Sequence, residues 1–466
     1  MNYNKVSDAL LSKLESIVSK NCVSTKFSDV ETHSHDESYH RNGMPECVVK
    51  PSSLEQVCGI VRSCSEANVP IIPFGTGTGL EGGVTSPYGG VVIDMANMTS
   101  IENINVDDFY CTVQAGVTRK GLNMYLRDTG LYFPIDPGAD ASLCGMCATN
   151  ASGTAAVYYG TMRENVLNVE VVLANGQVIH TRGKGRATKK SSAGYNLTNL
   201  FVGSEGTLGV ITAATLRLHL IPDKMAAATV SFPTMEASVD SVMQIMSTGL
   251  KPARIELMDD VQVDAVNRYS KLHNPVLPML LFEFYGSPGV SIEPQVEIVE
   301  SVCNANHGSQ FAWAVDESER RKLWHARHNI YYANLALVPN AKAFITDVCV
   351  PVSKLAEVIV PTKADIEEQN LLGPIVGHVG DGNFHCMFVF DDTNDAMLSA
   401  IKATSDKIVK RALAAGGTCT GEHGVGLGKM QFLETELGSS TVDVMKTIKL
   451  TLDSKNIMNP GKVVSV

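Results

Sequence analysis

Four side chains towards the C-terminal end of this 466-residue chain could together bind a metal ion and move a proton. His378 and His385 flank a short polar segment, and Glu422 and His423 follow further along the chain. Two imidazoles and a carboxylate are common ligands of a divalent ion, and another neutral imidazole can act as a general base. The residue types therefore indicate metal-assisted proton transfer. The alternative interpretation is a pair of structural histidines and a surface Glu-His.

The segment between the first two histidines predicts how they come together. Asp381-Gly382, flanked by extended residues, is typical of a two-residue hairpin turn. This turn would place His378 directly opposite His385. Opposite residues in an antiparallel pair share a face, with Cβ atoms about 5 Å apart. We therefore expect both imidazoles to reach the same ion.

Glu422 and His423 need a different backbone to reach that ion. Neighbouring residues on a strand point to opposite faces of the sheet. Both can serve one site only on irregular backbone, which Gly421, Gly424 and Gly426 favour.

A glycine-rich loop after a predicted strand provides a second candidate site. Its spacing Gly77-x-Gly79-x-x-Gly82 resembles a dinucleotide fingerprint, which must open a helix. Here Gly83 leads into a loop and a predicted strand instead, so no helix N-terminus follows directly. Successive glycine amides in a turn still form a concave anion nest, which predicts a phosphate cradle rather than a flexible surface loop. Its candidate residues are Pro73, Gly75, Thr76, Gly77, Thr78, Gly79 and Gly82.

Two further stretches rich in small residues let the backbone lie against a ligand. The first contributes Pro137, Gly138, Asp140, Ser142, Gly145, Thr149, Asn150, Ser152 and Gly153. The second contributes Gly203, Glu205, Gly206, Gly209, Val210 and Ile211.

These three stretches resemble the flavin domain of the vanillyl-alcohol oxidase family, with a cap of the FAD-linked oxidase type. The resemblance runs from about Asp36 to Lys462, and segments 136–146 and 377–386 are similar to the FAD-dependent D-lactate dehydrogenases. It implies an α+β fold, in which a PCMH-type (p-cresol methylhydroxylase type) FAD-binding domain is joined to an α+β cap or substrate domain with an antiparallel sheet.

The resemblance also implies how FAD is bound. The pyrophosphate is expected in the first glycine loop, the flavin ring at the domain interface, and Asn459 among the cofactor contacts. Relatives with covalent flavin carry a histidine near this loop. Residues 73–90 contain none, so we expect non-covalent FAD.

At the metal site, the resemblance assigns roles to the four side chains. His378, His385 and Glu422 would bind one divalent ion, zinc or manganese, and His423 would be the general base. The implied reaction oxidises a D-2-hydroxy acid to the 2-oxo acid, D-lactate to pyruvate, with a hydride passing to flavin N5.

Arg327 is the candidate for binding the substrate carboxylate. It shares a helical face with apolar residues, and a guanidinium there needs an anion that suits its planar fork. The alternative is a snorkelling arginine in a domain contact. D-2-hydroxyglutarate enzymes of the family hold a second carboxylate with a lysine and a threonine; those positions fall on Ile345 and Tyr331 here. A small monocarboxylic substrate is therefore expected.

Other functions remain open from the sequence. The nearest alternatives are dehydrogenases for D-2-hydroxyglutarate, glycolate or a bulkier D-2-hydroxy acid. A flavoprotein that uses FAD structurally, like the ether-lipid synthases, and a plain binding module are alternatives of another class. The electron acceptor could be cytochrome c, a quinone or an electron-transfer flavoprotein.

Four segments are expected to position these residues. Residues 1–46 form an N-terminal helix and lead-in, 47–222 the FAD-binding domain, 223–430 the substrate domain with the metal site, and 431–466 a helical segment returning to the FAD domain. Predicted elements include a helix from Ser53, a strand from Val210 to Leu220, one helix over 316–337, a strand from Phe344 to Val350, and a C-terminal helix from Met445 to Asn456.

Composition limits the partners and the compartment. A net charge of −11 argues against nucleic acid and anionic membrane surfaces, and no apolar run approaches the roughly 20 residues of a membrane span. Eleven cysteines without a framework suggest reduced thiols inside a cell. The N-terminal helix is a poor transit peptide, so we expect a cytosolic protein or a missing presequence; the resemblance favours mitochondria. A homodimer is one option that the sequence leaves open.

Overall fold

The computed structural model describes residues 2–287, 289, 291–391 and 393–466, with the side chains of 325, 326 and 328 outside the description. The chain divides into two compact units. One comprises Met1–Gly153, Tyr159–Ile221 and Glu422–Val466, and the other Thr154–Tyr158 and Pro222–Gly421. The chain returns to the first unit at Glu422.

The N-terminal part of the chain, up to residue 221, alternates short strands and helices. In chain order these are α1 (Asp8–Val18), β1 (Val23–Ser24), α2 (Phe27–Thr32), β2 (Cys47–Val49), α3 (Leu54–Ala67), β3 (Ile71–Phe74), β4 (Val91–Asp94), β5 (Ile101–Asn105), β6 (Tyr110–Gln114), α4 (Arg119–Leu126), β7 (Leu131–Tyr132), α5 (Leu143–Thr149), α6 (Ala156–Tyr159), α7 (Met162–Asn165), β8 (Val166–Val172), β9 (Val178–His180), α8 (Leu197–Phe201), β10 (Val210–Arg217) and β11 (His219–Leu220).

In the first unit, a mainly parallel sheet carries the glycine loop. Its order is β1-β2-β4-β3, and β2, β4 and β3 run parallel. All residues of β2 and β4 are buried, as expected for parallel strands covered on both faces. A separate antiparallel sheet has the order β5-β6-β10-β8-β9.

Capping explains why α3 begins where the sequence predicts. The Ser53 side chain accepts a hydrogen bond from the Gln56 amide at 3.4 Å, which satisfies one of the unpaired donors of the first turn. The helix then buries Val57, Ile60 and Val61 in the core of the first unit. The Ser53 cap and the buried apolar face therefore both favour a helix that begins at Leu54.

Residues 222–466 follow with longer elements. In chain order these are β12 (Lys224–Ser231), α9 (Met235–Ser247), β13 (Arg254–Met258), α10 (Asp260–Ser270), β14 (Met279–Gly286), α11 (Glu293–Ala305), β15 (Ser309–Ala314), α12 (Glu317–His328), α13 (Ile330–Leu335), β16 (Ala341–Ile345), β17 (Val348–Cys349), α14 (Leu355–Glu368), β18 (Ile375–Gly377), β19 (Asn383–Asp391), α15 (Asp395–Ala414), α16 (Leu433–Leu437) and α17 (Ser439–Leu452). None of the described helices combines the length and apolarity needed to cross a membrane.

The second unit is built on an antiparallel sheet, which agrees with the predicted α+β class. The strand order is β15-β12-β14-β13-β18-β19-β16, and β17 also pairs with β19. The central strand β14 is almost entirely buried. Strands β13, β18 and β19 lie side by side; His385 lies on β19, and His378 directly follows β18.

Several predicted elements are interrupted in the structure. The predicted strand from Val210 divides into β10 and β11 because β11 leaves to pair with β7. The predicted helix over 316–337 divides at Asn329, whose side-chain amide donates to Ser270 Oγ at 3.2 Å. The predicted strand from Phe344 divides into β16 and β17, separated by the buried pair Thr346-Asp347. The predicted C-terminal helix begins earlier, at Ser439, and ends at Leu452.

Candidate active site

The hairpin between His378 and His385 is wider than the sequence predicts. Strand β18 ends at Gly377, and Val376 rather than His378 faces His385. The intervening residues form their own turn, in which the Asp381 amide donates to the His378 carbonyl at 3.2 Å. The predicted register was therefore wrong by two residues. The reason is a competing partner, since the Val350 amide donates to the Gly382 carbonyl at 3.0 Å and holds the end of the turn.

The two histidines nevertheless lie side by side. A shift of two residues preserves the face of a strand, because side chains alternate with a period of two. The ring centroids of His378 and His385 are 5.6 Å apart, with the ring planes at 80°. Both residues are buried.

His378 is fixed by a buried carboxylate that the sequence analysis missed. Its Nδ1 is 2.6 Å from Glu256 Oε1, and the other oxygen, Oε2, accepts from Arg327 Nε at 2.7 Å. Glu256 lies on β13 and is completely buried. Burial raises the pKa of Glu256, but its interactions with His378 and Arg327 outweigh burial and hold this pKa below its usual range. An acid within an apolar strand was the signal that could have identified it.

The imidazole of His385 is also oriented through its Nδ1, here by a backbone carbonyl instead of a carboxylate. Its Nδ1 is 3.0 Å from the Thr346 carbonyl oxygen, which can only accept. Nδ1 must therefore carry the proton, and Nε2 is the acceptor nitrogen of this imidazole. The interruption between β16 and β17 turns this carbonyl towards the histidine.

A second buried carboxylate lies beside His385. Asp347 Oδ1 is 3.7 Å from His385 Nδ1 and accepts from Asn383 Nδ2 at 2.8 Å. The other oxygen accepts from Thr420 Oγ1 at 2.8 Å. These bonds tie the segment before Glu422 to the histidine strand.

The structure brings the predicted metal ligands together. His378, His385 and Glu422 each offer a ligand atom within 4.8 Å of the others. Asp347, His385 and His423 form a second such group. Glu422 directly follows Gly421, the last residue of the second unit, so the chain itself keeps it near. Two imidazole nitrogens and a carboxylate fit zinc or manganese.

The backbone around Glu422 and His423 is irregular, as predicted. Gly424 and Gly426 have φ angles of +82° and +48°, and a Cβ at Gly421 would overlap the Asn383 side chain. His423 Nε2 lies 3.7 Å from Glu422 Oε1. Adjacent residues can therefore contribute to the same cluster.

Arg327, on α12, is connected to His378 through Glu256, which contacts both side chains. Its side chain is 19% exposed and its Nε is used by Glu256. The predicted need for an anion is thus met by a protein carboxylate. Ile345 ends β16 and is partly buried, and Tyr331 lies on α13 with its ring against Tyr332.

The first glycine loop follows β3 and meets a helix from elsewhere in the chain. A Cβ at Gly75 would overlap Ser142 Oγ, and the Ser142 amide lies 3.5 Å from Thr76 Oγ1. Ser142 directly precedes α5. The sequence correctly excluded a helix directly after the loop but missed this helix N-terminus, because its residues are distant in sequence.

This loop has the features of a phosphate cradle. Gly77 and Gly82 adopt φ angles of +68° and +71°, which favour glycine. Ser142 Oγ is buried and makes no hydrogen bond among the described residues, so it can donate to a ligand. This hydroxyl donor beside a glycine turn is compatible with binding an FAD pyrophosphate.

The remaining predicted cofactor residues are distributed over several elements of the first unit. Asp140 accepts from the Lys120 amide at 3.0 Å, and Asn150 Oδ1 from the Arg163 amide at 3.0 Å, which are structural roles. In the first stretch, Pro73 is in β3, Gly79 follows in the loop, and Thr78 Oγ1 is 3.2 Å from Thr76 Oγ1.

The second stretch surrounds α5: Pro137 and Gly138 precede this helix, Gly145 and Thr149 lie in it, and Ser152 and Gly153 follow it. The third stretch connects α8 to β10: Gly203 and Gly206 lie in the turn after α8, Gly209 precedes β10, and Val210 and Ile211 begin β10.

Asn459 joins two of the flavin stretches. Its Nδ2 donates to the Gly83 carbonyl at 2.9 Å and to the Glu205 carbonyl at 2.8 Å. Asp36, which the sequence analysis did not select, accepts from the Gly83 amide at 3.1 Å and is buried. Burial raises the pKa of Asp36. The segment around Asp36 therefore packs against the cradle.

The Glu205 carboxylate accepts hydrogen bonds from the protein backbone. Its oxygens accept from the Val425 and Gly426 amides at 2.7 and 2.8 Å. Burial raises the pKa of Glu205 to about 7, although these amides and Lys462 favour the ionised form.

The chain is similar to known proteins along nearly its whole length. The family described as FAD linked oxidases, C-terminal domain, matches residues 221–463, and the FAD binding domain family matches residues 45–182. "Probable D-lactate dehydrogenase, mitochondrial" of Danio rerio is 53% identical over 98% of this chain and 92% of its own length. "D-lactate dehydrogenase (cytochrome), mitochondrial" of Arabidopsis thaliana is 42% identical over 99% of this chain and 81% of its own.

Solved structures agree on the fold. p-Cresol methylhydroxylase with substrate bound superposes with a TM-score of 0.81 at 17% identity, covering 98% of this chain and 97% of that chain. At this identity the likeness shows the fold alone.

Proposed function

Because the chain belongs to the family of FAD-linked oxidases, we propose that it is an FAD- and divalent-metal-dependent dehydrogenase that oxidises D-lactate to pyruvate. Relatives named D-lactate dehydrogenase support the substrate. The observation that carries the metal-assisted mechanism is the cluster of His378, His385 and Glu422, in which Nδ1 of each imidazole lies against an acceptor, so that Nε2 would be the ligand atom.

Each side chain has a defined task in the proposed reaction. Arg327 binds the substrate carboxylate, and Glu256 fixes the guanidinium through its Nε. His423 accepts the hydroxyl proton as the substrate is oxidised. Glu256 also keeps His378 in the tautomer that binds a cation.

The two groups that these residues would hold supply the remaining chemistry. His378, His385 and Glu422 would hold a divalent ion, which would lower the pKa of the substrate hydroxyl, and the glycine cradle would hold non-covalent FAD, which would serve as the hydride acceptor. Ser142, Gly77 and Gly82 are the cradle residues best suited to its phosphates.

The substrate side chain is proposed to be small. A second carboxylate beside Ile345 would be without a cationic partner, which disfavours D-2-hydroxyglutarate by several kcal/mol if that carboxylate is buried. Glycolate and bulkier D-2-hydroxy monocarboxylates are the second candidates, because nothing about Ile345 or Tyr331 opposes them.

Two further proposals follow from the relatives' names. The electrons pass from the reduced flavin to an external acceptor, of which a cytochrome is favoured over a quinone or an electron-transfer flavoprotein. The protein acts in mitochondria.

Anaerobic mixing with substrate tests the proposed function. D-Lactate should bleach the visible flavin absorbance of the metal-loaded protein, whereas L-lactate should not. Prior removal of the metal with a chelator should abolish the bleaching, and Mn²⁺ or Zn²⁺ should restore it. If no 2-hydroxy acid reduces the flavin, the protein uses FAD structurally, and the proposal is wrong. Faster bleaching by D-2-hydroxyglutarate would overturn the choice of substrate.

A further inference from the structure

The loop that carries Glu422 and His423 is bound by a carboxylate from the third flavin stretch. Glu205 Oε1 accepts from the Val425 amide at 2.7 Å, and Oε2 accepts from the Gly426 amide at 2.8 Å. Glu205 is 8% exposed, so both bonds are shielded from water.

The backbone of Glu205 is held in an unusual conformation that supports this contact. Its φ angle is +50°, in the left-handed region that few residues other than glycine adopt. Its carbonyl accepts from Asn459 Nδ2 at 2.8 Å, and Asn459 also binds Gly83 of the first glycine loop. Such strain persists where surrounding structure enforces it, and is common at functional sites.

The first glycine loop holds the same segment from another side. The Leu427 amide donates to the Glu81 carbonyl at 2.8 Å, and a Cβ at Gly426 would overlap that oxygen. Two flavin stretches thus fix consecutive residues after His423.

We infer that Glu205 is a positioning residue, whose carboxylate fixes the loop bearing a metal ligand and the catalytic base to the flavin cradle. The inference rests on the proposed function for the roles of Glu422 and His423. It goes further, because it makes metal retention at Glu422 depend on a side chain that belongs to the flavin cradle.

Substitution by glutamine separates this role from simple packing. Val425 and Gly426 donate to different oxygens of Glu205, and a glutamine of the same size has one acceptor oxygen and one amino group. The amino group would oppose one backbone N–H, so Glu205→Gln releases half of the loop contact without leaving a cavity.

The test measures metal binding separately from turnover. Mn²⁺ alone is titrated into the FAD-loaded, metal-free protein and followed by electron paramagnetic resonance. For Glu205→Gln we expect the Mn²⁺ dissociation constant to rise about tenfold or more, the range seen when support of a ligand is removed. We also expect a lower limiting rate of flavin reduction by D-lactate, with KM for D-lactate and bound flavin unchanged. An unchanged Mn²⁺ dissociation constant overturns the inference.

Asp453 offers a matched control in the first unit. It is buried and accepts from the Ile457 and Met458 amides at 3.1 and 2.7 Å. Asp453→Asn should lower the melting temperature but leave the Mn²⁺ dissociation constant unchanged. An equal rise in both variants would mean that any buried carboxylate of this unit has the effect, and would overturn the specific role of Glu205.

A second variant decides the case if Glu205→Gln loses flavin. A Cβ at Gly424 would lie 3.0 Å from the Glu205 carboxylate carbon, so Gly424→Ala displaces the loop and leaves the acid in place. Weaker Mn²⁺ binding with flavin retained supports the inference, and unchanged binding overturns it. Because the Mn²⁺ titration does not use D-lactate, it remains informative if D-lactate is not the substrate.

Discussion

Glu256 binds Arg327 and His378 through its two oxygens, so one buried side chain connects the proposed substrate cation with a proposed metal ligand. Neither partner alone reveals this from the sequence. A guanidinium on an apolar face needs an anion, and the sequence of α12 alone predicts that the substrate supplies the anion for Arg327. The structure adds a protein carboxylate, which leaves the guanidinium in a fixed position for a second anion.

Replacing Glu256 with glutamine should impair both partners. The amide cannot balance Arg327 and no longer favours the His378 tautomer with Nε2 as acceptor. We expect metal affinity to fall 10- to 100-fold and kcat/KM for D-lactate to fall by a larger factor, measured by Mn²⁺ titration and flavin reduction. The matched control is Glu283→Gln, which breaks the Arg254 ion pair of 3.0 Å on a neighbouring strand. Equal losses in both variants would contradict a specific role for Glu256.

The adjacent residues Glu422 and His423 should separate cleanly by function. His423→Ala should retain flavin and Mn²⁺ but reduce the rate of flavin reduction by about 10²- to 10⁴-fold, the usual contribution of a general base. Glu422→Ala should instead release the metal, as measured in dialysed protein. If His423→Ala loses the metal and Glu422→Ala keeps it, the two assignments must be exchanged.

At the scale of elements, the hairpin shows what the sequence could predict and what it could not. Alternation fixed the shared face of His378 and His385, because a shift of two residues leaves the face unchanged. The turn length depended on Val350, which directly follows β17, is distant in sequence and donates its amide to the Gly382 carbonyl. Local turn preference carries no information about such a partner. The helix α5 beside the glycine loop was missed for the same reason.

Gly382 allows β17 to approach the histidine turn. Its φ angle is +91°, and a Cβ there would overlap the Val350 carbonyl oxygen. We expect Gly382→Ala to lower the free energy of unfolding by about 3 kcal/mol and to weaken Mn²⁺ binding, because the turn shifts with His378.

Gly416→Ala is the control that separates the backbone strain of a positive φ angle from the overlap of a new Cβ with its neighbours. Gly416 also has a positive φ, +78°, but a Cβ there meets nothing within 4 Å. It should lose only about 1 kcal/mol, without a change in Mn²⁺ binding. Chemical denaturation of both variants makes the comparison, and equal losses would show that contact with Val350 is not limiting.

For the whole molecule, His219 should make stability depend on pH. Its Nε2 lies 2.9 Å from Asn165 Oδ1, and burial, with Arg217 and Lys189, lowers its pKa from 6.5 to about 4. The unfolded chain therefore binds the proton more readily between these values. The contribution of His219 is fully present above pH 6.5 and is lost as the pH falls towards about 4.

We expect His219→Gln to flatten the acid side of the stability profile by about 2 kcal/mol. The measurement is denaturant unfolding of the protein at several values of pH. The exposed His273 serves as control, and His273→Gln should leave the profile unchanged. A steeper acid loss in His219→Gln would show that the sign is wrong.

The net charge of −11 should govern how the reduced protein meets its electron acceptor. An acidic protein attracts a cationic partner over a distance that salt shortens, because the Debye length falls from about 30 Å at 0.01 M to about 8 Å at 0.15 M ionic strength. Reoxidation of the D-lactate-reduced flavin by a basic c-type cytochrome should therefore slow about tenfold over that range. A neutral short-chain quinone should react at a rate that salt hardly changes. Stopped-flow traces of flavin absorbance measure both rates. If the cytochrome rate is constant or rises with salt, the acceptor docks without help from the net charge, and a quinone becomes the better proposal.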